Sequence, residues 1–368
     1  MFLKNYWYVA ATPEELGQNP LGRKLLGEPV VMYRTTGGTP VAFEDRCCHR
    51  RAPLSRGHVI GDNLQCGYHG LTYNSKGECI GVPGQTTTPP GAGVKCYPVV
   101  ERWGWVWIWM GDIANADDSE IPNLYWHDDP DWTRQVGGYL HIEGHYQLLI
   151  DNLLDLTHLT FLHGNTIGNA HVANTPLANV TRNSRKEFKN SALERVSRDL
   201  PSANAIRWMY NIDPPPLYAR SGGFTDPDDR VDRWQMIRFE PPSHVWLDVG
   251  LARAGTGAPE GDRSQGATHT VIDAITPETE TSTHYFWTFP RSYRLNDVEL
   301  NEYLQNGVAS TFLEDKVMIE GQQAIIDADP SAPQFEINAD AAAIIARNII
   351  AELLEKEQSG DATQQAAE

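Results

Sequence analysis

An α+β chain of two domains is predicted, on three observations. Short strand-like runs broken by turn signals, such as Thr36-Gly37-Gly38 and Ser75-Lys76-Gly77, fill residues 1–115. Strand character returns over residues 205–290, for example at Val231 to Glu240 and Thr268 to Ile275. Helical patterning is confined to Tyr146–His163, 309–326 and 339–356. A length of 368 residues suits two domains at about 150 residues each. The polar, Pro-punctuated stretch from Gly111 to Pro130 marks the junction, giving domains 1–115 and 116–368. In the first of these, Val82 to Val94 holds too many Pro, Gly and Thr residues for a regular element. Trp103, Trp105, Trp107 and Trp109 recur at period two, so one strand face carries four indoles, expected as a core strand against a neighbouring domain or subunit. The last dozen residues read as a frayed polar tail. A βαβ unit with a Gly-rich phosphate turn is missing, so no nucleotide site is expected in this chain.

Composition narrows the function. Lys and Arg number 30 against 48 Asp and Glu, a formal net charge of -18. That sign repels phosphate backbones and anionic lipid, which argues against nucleic-acid and membrane-surface roles. Hydrophobic residues make up 40% and mean hydropathy is -0.44, ordinary for a globular protein. The first ten residues, MFLKNYWYVA, are too short and aromatic for a signal-peptide core. Trp103 to Met110, the most apolar stretch, falls far short of the roughly 20 residues that span a bilayer. Cys47, Cys48, Cys66, Cys79 and Cys96 are an odd number in a chain without a secretion signal, so metal binding by some is favoured over a disulfide framework. A cytoplasmic protein is expected.

Cys47-x-His49 is followed, sixteen residues later, by Cys66-x-x-His69. Two thiolates and two imidazoles on two short loops can hold a structural zinc, or a [2Fe–2S] cluster with cysteines on one iron and histidines on the other. Zinc fingers pair Cys with Cys and His with His along the sequence. Here each loop carries one of each, which suits a cluster whose irons differ in ligation, the Rieske arrangement. Cys48 lies between two of these residues and is expected to point away, while Cys79 and Cys96 read as buried free thiols.

A second constellation lies in Asp151-Asn152-Leu153-Leu154-Asp155-Leu156-Thr157-His158-Leu159-Thr160-Phe161-Leu162-His163. On an ideal helix Asp151 and His158 nearly eclipse, with Asp155 one step round the same face. Acids and imidazoles gathered in a Leu-rich helix need partners or a metal if buried. His163, five residues after His158, shares no face with it, so the helix is expected to end near Phe161, with Gly164 suiting the break. Two histidines need an anionic partner to complete a two-His-one-carboxylate iron site. Asp315, flanked at helical spacing by Phe312, Met318 and Ile319, is that candidate, with Glu314 as the fallback.

Together these residues resemble the oxygenase component of Rieske non-haem iron oxygenases, over nearly the whole chain. The likeness extends to Asn5-Tyr6-Trp7-Tyr8-Val9-Ala10, Trp107-Ile108-Trp109 and Thr276-Pro277-Glu278-Thr279. Val231-Asp232-Arg233-Trp234-Gln235 and Pro241-Pro242-Ser243-His244-Val245 look most like the branch of vanillate and dicamba O-demethylases and toluenesulfonate methyl-monooxygenase. Cys48 stands where relatives often have Pro. The resemblance implies an all-β Rieske domain followed by a helix-grip catalytic domain of antiparallel sheet and helices. It implies Cys47, His49, Cys66 and His69 as cluster ligands, and His158, His163 and Asp315 as ligands of a mononuclear ferrous iron. Asp155 becomes the carboxylate bridging the His69 side of one subunit to His158 of its neighbour, in a head-to-tail homotrimer, with Asn152 supporting it.

No flavin or nicotinamide fold and no plant-type ferredoxin motif is evident, so electrons are expected from a separate NAD(P)H-dependent, ferredoxin-type reductase. The implied reaction is hydroxylation of an aryl methyl ether with dioxygen, collapsing to a phenol and formaldehyde, on a vanillate-like aromatic acid. Methyl hydroxylation of an aryl sulfonate, ring dihydroxylation and a non-catalytic electron carrier or zinc-stabilised module are the alternatives. His269, Val271, Asp273 and Ile275 alternate along one strand face, and Asp273 is the candidate to accept a substrate phenolic hydroxyl. A substrate acid would call for an arginine, and Arg207, Arg220, Arg238, Arg253 and Arg291 are not distinguished by the sequence.

Overall fold

The computed structural model describes residues 1–133, 137–189, 191–196 and 198–365, with side chains described to residue 359. The chain forms two compact units, Met1–Ile121 with Thr276–Glu280, and Pro122–Ile275 with Thr281–Glu368.

The first unit is built of eleven short strands: β1 (Trp7–Ala11), β2 (Leu21–Leu25), β3 (Glu28–Arg34), β4 (Pro40–Glu44), β5 (His58–Ile60), β6 (Asn63–Gln65), β7 (Thr72–Tyr73), β8 (Cys79–Gly81), β9 (Cys96–Tyr97), β10 (Val99–Arg102) and β11 (Trp105–Trp109). They form three antiparallel sheets, ordered β1-β11-β10, β2-β3-β4-β9 and β5-β6-β7-β8. Trp105, Trp107 and Trp109 lie on one face of the wholly buried β11. Trp103 does not join them. It occupies the two-residue turn between β10 and β11, at φ 57 with Gly104 at φ 74, a pair of left-handed residues that matches the twist of a hairpin. The indole face therefore has three rings, not the four that period two suggested. A separate core, including Tyr33, Phe43, Leu54, Leu64, Leu71 and Tyr73, also contains the thiols of Cys47 and Cys66. Thr276–Glu280 belongs to this unit, where the amides of Leu26 and Gly27 donate to the carbonyls of Pro277 and Glu278.

The second unit holds β12 (Gly137–Ile142), β13 (Asn179–Arg182), β14 (Ala203–Ile212), β15 (Val231–Glu240), β16 (His244–Arg253), β17 (Ala267–Thr279, whose last residues count with the first unit) and β18 (Ser282–Thr288). They make one sheet of order β12-β18-β17-β16-β15-β14-β13. Among the described residues, five helices accompany it: α1 (Tyr146–Leu154), α2 (Ala170–Asn174), α3 (Pro216–Gly222), α4 (Val298–Ala328) and α5 (Ala341–Gln365). This is the α+β, sheet-and-helix layout expected. β15 is buried at every position and β17 nearly so, so both faces of the central strands are covered and neither parity faces water.

The two C-terminal helices are longer than the apolar pattern suggested. α4 starts at Asp297, whose carboxylate caps Leu300 N at 2.9 Å, and buries Leu300, Leu304, Val308, Thr311, Phe312, Asp315 and Ile319 as one stripe. α5 continues to Gln365, through most of the segment expected to fray, while residues 366–368 lie outside those described. Among the described residues, no helix is long and apolar enough to cross a membrane.

Candidate metal centres

The loops after β4 and β6 share one hydrogen-bond frame. Cys47 N donates to Ala52 O (2.9 Å) and Arg51 N to Cys47 O (2.9 Å); Cys66 N donates to Leu71 O (2.8 Å) and Gly70 N to Cys66 O (3.0 Å). In each loop the residue that turns the chain back is left-handed, Arg51 at φ 58 and Gly70 at φ 74. This repeated turn buries both cysteines at 2% exposure and leaves both histidines exposed, with the His49 and His69 rings 4.7 Å apart. Burial, with the Cys47 thiol beside it, pushes the Cys66 thiol up, so a cation would be needed to hold it as a thiolate. Sulfurs gathered at the inner end and imidazoles at the outer end suit a cluster with two differently ligated irons. A single tetrahedral zinc would draw all four ligand atoms around one point; among the described residues, only His158, His163 and Asp315 form such a group.

Cys48 does not turn away. Its thiol lies 3.2 Å from the Tyr73 hydroxyl, which is also 3.1 Å from the Cys47 thiol. Cys48 is nonetheless exposed, and its amide also donates to the Tyr73 hydroxyl at 3.2 Å. Cys79 and Cys96 are free thiols, as expected, although Cys96 is only partly buried.

In the second unit, α1 stops earlier than expected. Asp155 is extended (φ -114, ψ 98), and its carboxylate caps the following 3-10 turn by accepting from the Thr157 amide (2.9 Å) and hydroxyl (2.7 Å). The break thus precedes His158 instead of following Phe161. Its freed carbonyl accepts His158 Nδ1 at 2.7 Å, so Asp155 orients that ring through its backbone and not its carboxylate. Asp151 is drawn off to Arg347, which donates to it at 2.6 Å. Gly168 tightens the turn after His163: a Cβ there would meet Leu159 O at 1.8 Å, whereas at Gly164 the nearest atom would be 3.4 Å away.

His163, 1% exposed, donates from Nδ1 to Glu314 Oε2 (2.6 Å). Both imidazoles therefore hold their proton on Nδ1 and turn Nε2 toward Asp315 Oδ1, at 3.5 Å for His158 and 3.0 Å for His163. Asn152 Nδ2 donates to the same oxygen at 3.0 Å. The ligand atoms of His158, His163 and Asp315 lie within 4.8 Å of one another. Burial holds His158 below the usual histidine range. At His163 burial acts the same way, but Asp315 and Glu314 outweigh it and raise the ring. Glu314 is a partner of a ligand and not itself part of the group. Two imidazole Nε2 atoms and a carboxylate on one side suit ferrous iron with open positions.

An apolar cavity of about 50 Å³ opens beside the triad. Leu153, Leu156, Leu159 and Phe312 line its helical side; Leu247, Val249 and Val271 line the sheet, with Arg233 and Gln235 on β15 as its buried polar groups there. Asp273 does not line it, contrary to expectation. It is fully buried, and its Oδ1 takes the Tyr285 hydroxyl at 2.6 Å, so no group remains for a substrate phenol on that oxygen. Among the arginines expected to compete, Arg238 pairs with Glu240, Arg253 with Asp229 and Arg291 with Asn301; Arg220 lies over Tyr303, and Arg207 donates to Gln235. Arg233 was not singled out from the sequence. The only signal was an Arg and a Gln two apart on a strand that also carries Asp232, Arg238 and Glu240.

Comparisons with known proteins agree with this architecture. The family described as vanillate O-demethylase oxygenase C-terminal domain matches residues 142–356, and the Rieske [2Fe-2S] domain matches residues 6–98. A toluene-4-sulfonate monooxygenase system iron-sulfur subunit of Comamonas testosteroni is 41% identical, over 98% of this chain and 100% of the relative. A vanillate O-demethylase oxygenase subunit of Pseudomonas sp. is 40% identical, over 97% and 96%. The crystal structure of dicamba monooxygenase bound to 3,6-dichlorosalicylic acid superposes with a TM-score of 0.84 at 32% identity, over 97% of this chain and 99% of that one. The chain belongs to the Rieske non-haem iron oxygenases, as an oxygenase component whose cofactors are a [2Fe–2S] cluster and a mononuclear iron and whose electrons come from a separate reductase.

Proposed function

We propose that this oxygenase hydroxylates the methyl carbon of a methoxylated, vanillate-like aromatic acid, releasing formaldehyde and leaving a phenol. The observation that carries the reading is the triad of His158, His163 and Asp315 on the wall of an apolar cavity that also holds two buried donors. Cys47, His49, Cys66 and His69 would hold the cluster, within a domain of residues 1–115; His158, His163 and Asp315 would hold the iron, within 116–368. When bound, the cluster supplies single electrons and the iron supplies open positions for dioxygen. The chain does the rest. Asp155 O and Glu314 hold both Nε2 atoms toward the iron position, Asn152 fixes Asp315, and the Leu and Phe side chains exclude water from the ring. One dioxygen, two electrons and two protons convert the methyl ether into a hemiacetal and water; the hemiacetal then collapses to phenol and formaldehyde.

A head-to-tail homotrimer with a ferredoxin-type, NAD(P)H-dependent reductase, in the cytoplasm, completes the proposal. Arg50, Arg51 and Arg56, close in sequence to His49, are exposed, as are His49 and His69. A groove beside Asp155 is lined by Asp329, Glu336 and Asp340, with Met318, Ile325 and Phe335 among its exposed apolar residues. That pairing of charge and apolar area supports docking of one copy's cluster loops on another copy's Asp155. A second reading, methyl hydroxylation of an aryl sulfonate, is favoured by the 41% identical toluene-4-sulfonate relative. Oxygen uptake and formaldehyde, followed together with a supplied reductase over methoxybenzoates and toluenesulfonate, separate the two. One formaldehyde per oxygen supports demethylation; an aryl alcohol without formaldehyde overturns it in favour of the second.

A further inference from the structure

Resting on the reading of this cavity as the substrate pocket, we infer that Arg233 and Gln235 clamp one aryl oxyanion, a carboxylate or a sulfonate, and that Arg207 is the positioning residue that turns Gln235 toward it. Arg233 and Gln235 stand two apart on β15, so their side chains leave the same face, and each is 1% exposed. Arg233 Nη2 donates to Ile167 O at 2.9 Å, and its guanidinium lies 5.1 Å from the Tyr218 ring centre. Its Nη1 has no protein partner. The titratable groups acting on it are Tyr218 and Arg207, a phenol and a second cation, neither of which neutralises it.

Gln235 Oε1 accepts from Arg207 Nη1 at 3.1 Å, and Arg207 Nε is anchored on Thr175 O at 3.0 Å. A guanidinium has only donors, so this contact dictates which way the amide points. The Gln235 oxygen is held by Arg207, and its Nε2, also without a protein partner, is left for the cavity. A buried guanidinium lining the cavity with Leu247, Val249 and Val271, with two unused donors between apolar walls, favours an entering anion with two acceptor oxygens. A neutral isostere leaves Arg233 unpaired, and a cationic one is repelled.

The test is calorimetric binding to the holoenzyme of benzoate and benzenesulfonate, which carry no methyl group to oxidise, with benzamide as the neutral isostere. Binding is thus read without turnover, so the clamp can stand if demethylation fails, and the reverse. At least one anion is expected to bind about 100-fold tighter than benzamide, and Arg233→Met to lose about that factor for the anion alone. Gln235→Leu and Arg207→Met should each lose about 10-fold. Because Arg207 acts through Gln235, the double variant should lose no more than Gln235→Leu does. Tighter benzoate supports a carboxylate clamp, tighter benzenesulfonate a sulfonate clamp. Should Arg233→Met bleach the cluster spectrum, Arg233→Lys, which keeps the charge without the fork, is expected to retain the spectrum with weakened anion binding. Benzamide binding as tightly as both anions, or full anion affinity in a folded Arg233 variant, would overturn the clamp.

Discussion

The two metal centres solve the same problem at opposite ranges along the chain. The cluster loops draw four residues from positions 47 to 69, and each loop is shaped by its own backbone hydrogen bonds. The candidate iron triad joins His158 and His163 to Asp315, a partner 152 residues from His163, and depends on the packing of α4 within the second unit. A local turn can place a ligand with little help from the core. A ligand from a distant helix is placed only when the core has formed. The two centres should therefore be separable by mutation, and their sensitivities should differ in kind.

The largest effect sought is a crossed loss. His158→Ala is expected to abolish turnover and iron content while the visible cluster spectrum stays intact; Cys66→Ala should bleach that spectrum while iron is retained. Loss of both metals in either variant would mean the two centres do not form independently. Activity persisting in His158→Ala would refute the triad.

A smaller effect concerns the groups that hold the ligands. Glu314→Gln replaces the carboxylate on His163 Nδ1 by a neutral amide at the same reach. Iron affinity should fall by about 10- to 100-fold, measured by chelator competition, with cluster content unchanged. An unchanged iron affinity would show that Glu314 is a bystander on a half-exposed helix position.

The smallest effect is a pH slope belonging to the second unit alone. Burial is the main cause that raises the Asp273 carboxyl from 3.8 to about 8. Between those values the folded chain keeps a proton that the unfolded chain has released, so this group's contribution to stability declines as pH rises through the window. Asp273→Asn should flatten that decline in denaturant titrations across the window, leaving the acid end little changed. A slope identical to that of the parent protein would remove Asp273 as its source.

What could be read in advance follows the same division. Cys47, His49, Cys66 and His69 stood out as candidates because spacing and residue type suffice for two short loops, and the structure gives those loops the same turn. Asp315 was legible too, as an acid on an apolar helix face. The α1 break was misplaced because helical periodicity carries no sign of a residue that is extended and caps the next turn, as Asp155 is. Gly164 drew attention by following His163 directly, but Gly168 is the glycine that a Cβ would force out, against a carbonyl nine residues earlier. Trp103 fitted period two perfectly and still fell in the turn, since a hairpin needs left-handed residues wherever its register closes.

From the sequence alone came the α+β class, both sets of candidate metal ligands and the oxygenase resemblance, because these rest on local spacing and on residue types with few alternative uses. Only the tertiary structure decided which polar groups meet the cavity. Arg233 and Gln235 line it and Asp273 does not, although all three sit on strands with the same alternation. Both faces of those strands are buried, so alternation assigns a residue to a face but not to what covers that face. That is set by helices far away in sequence, whose positions no strand pattern encodes.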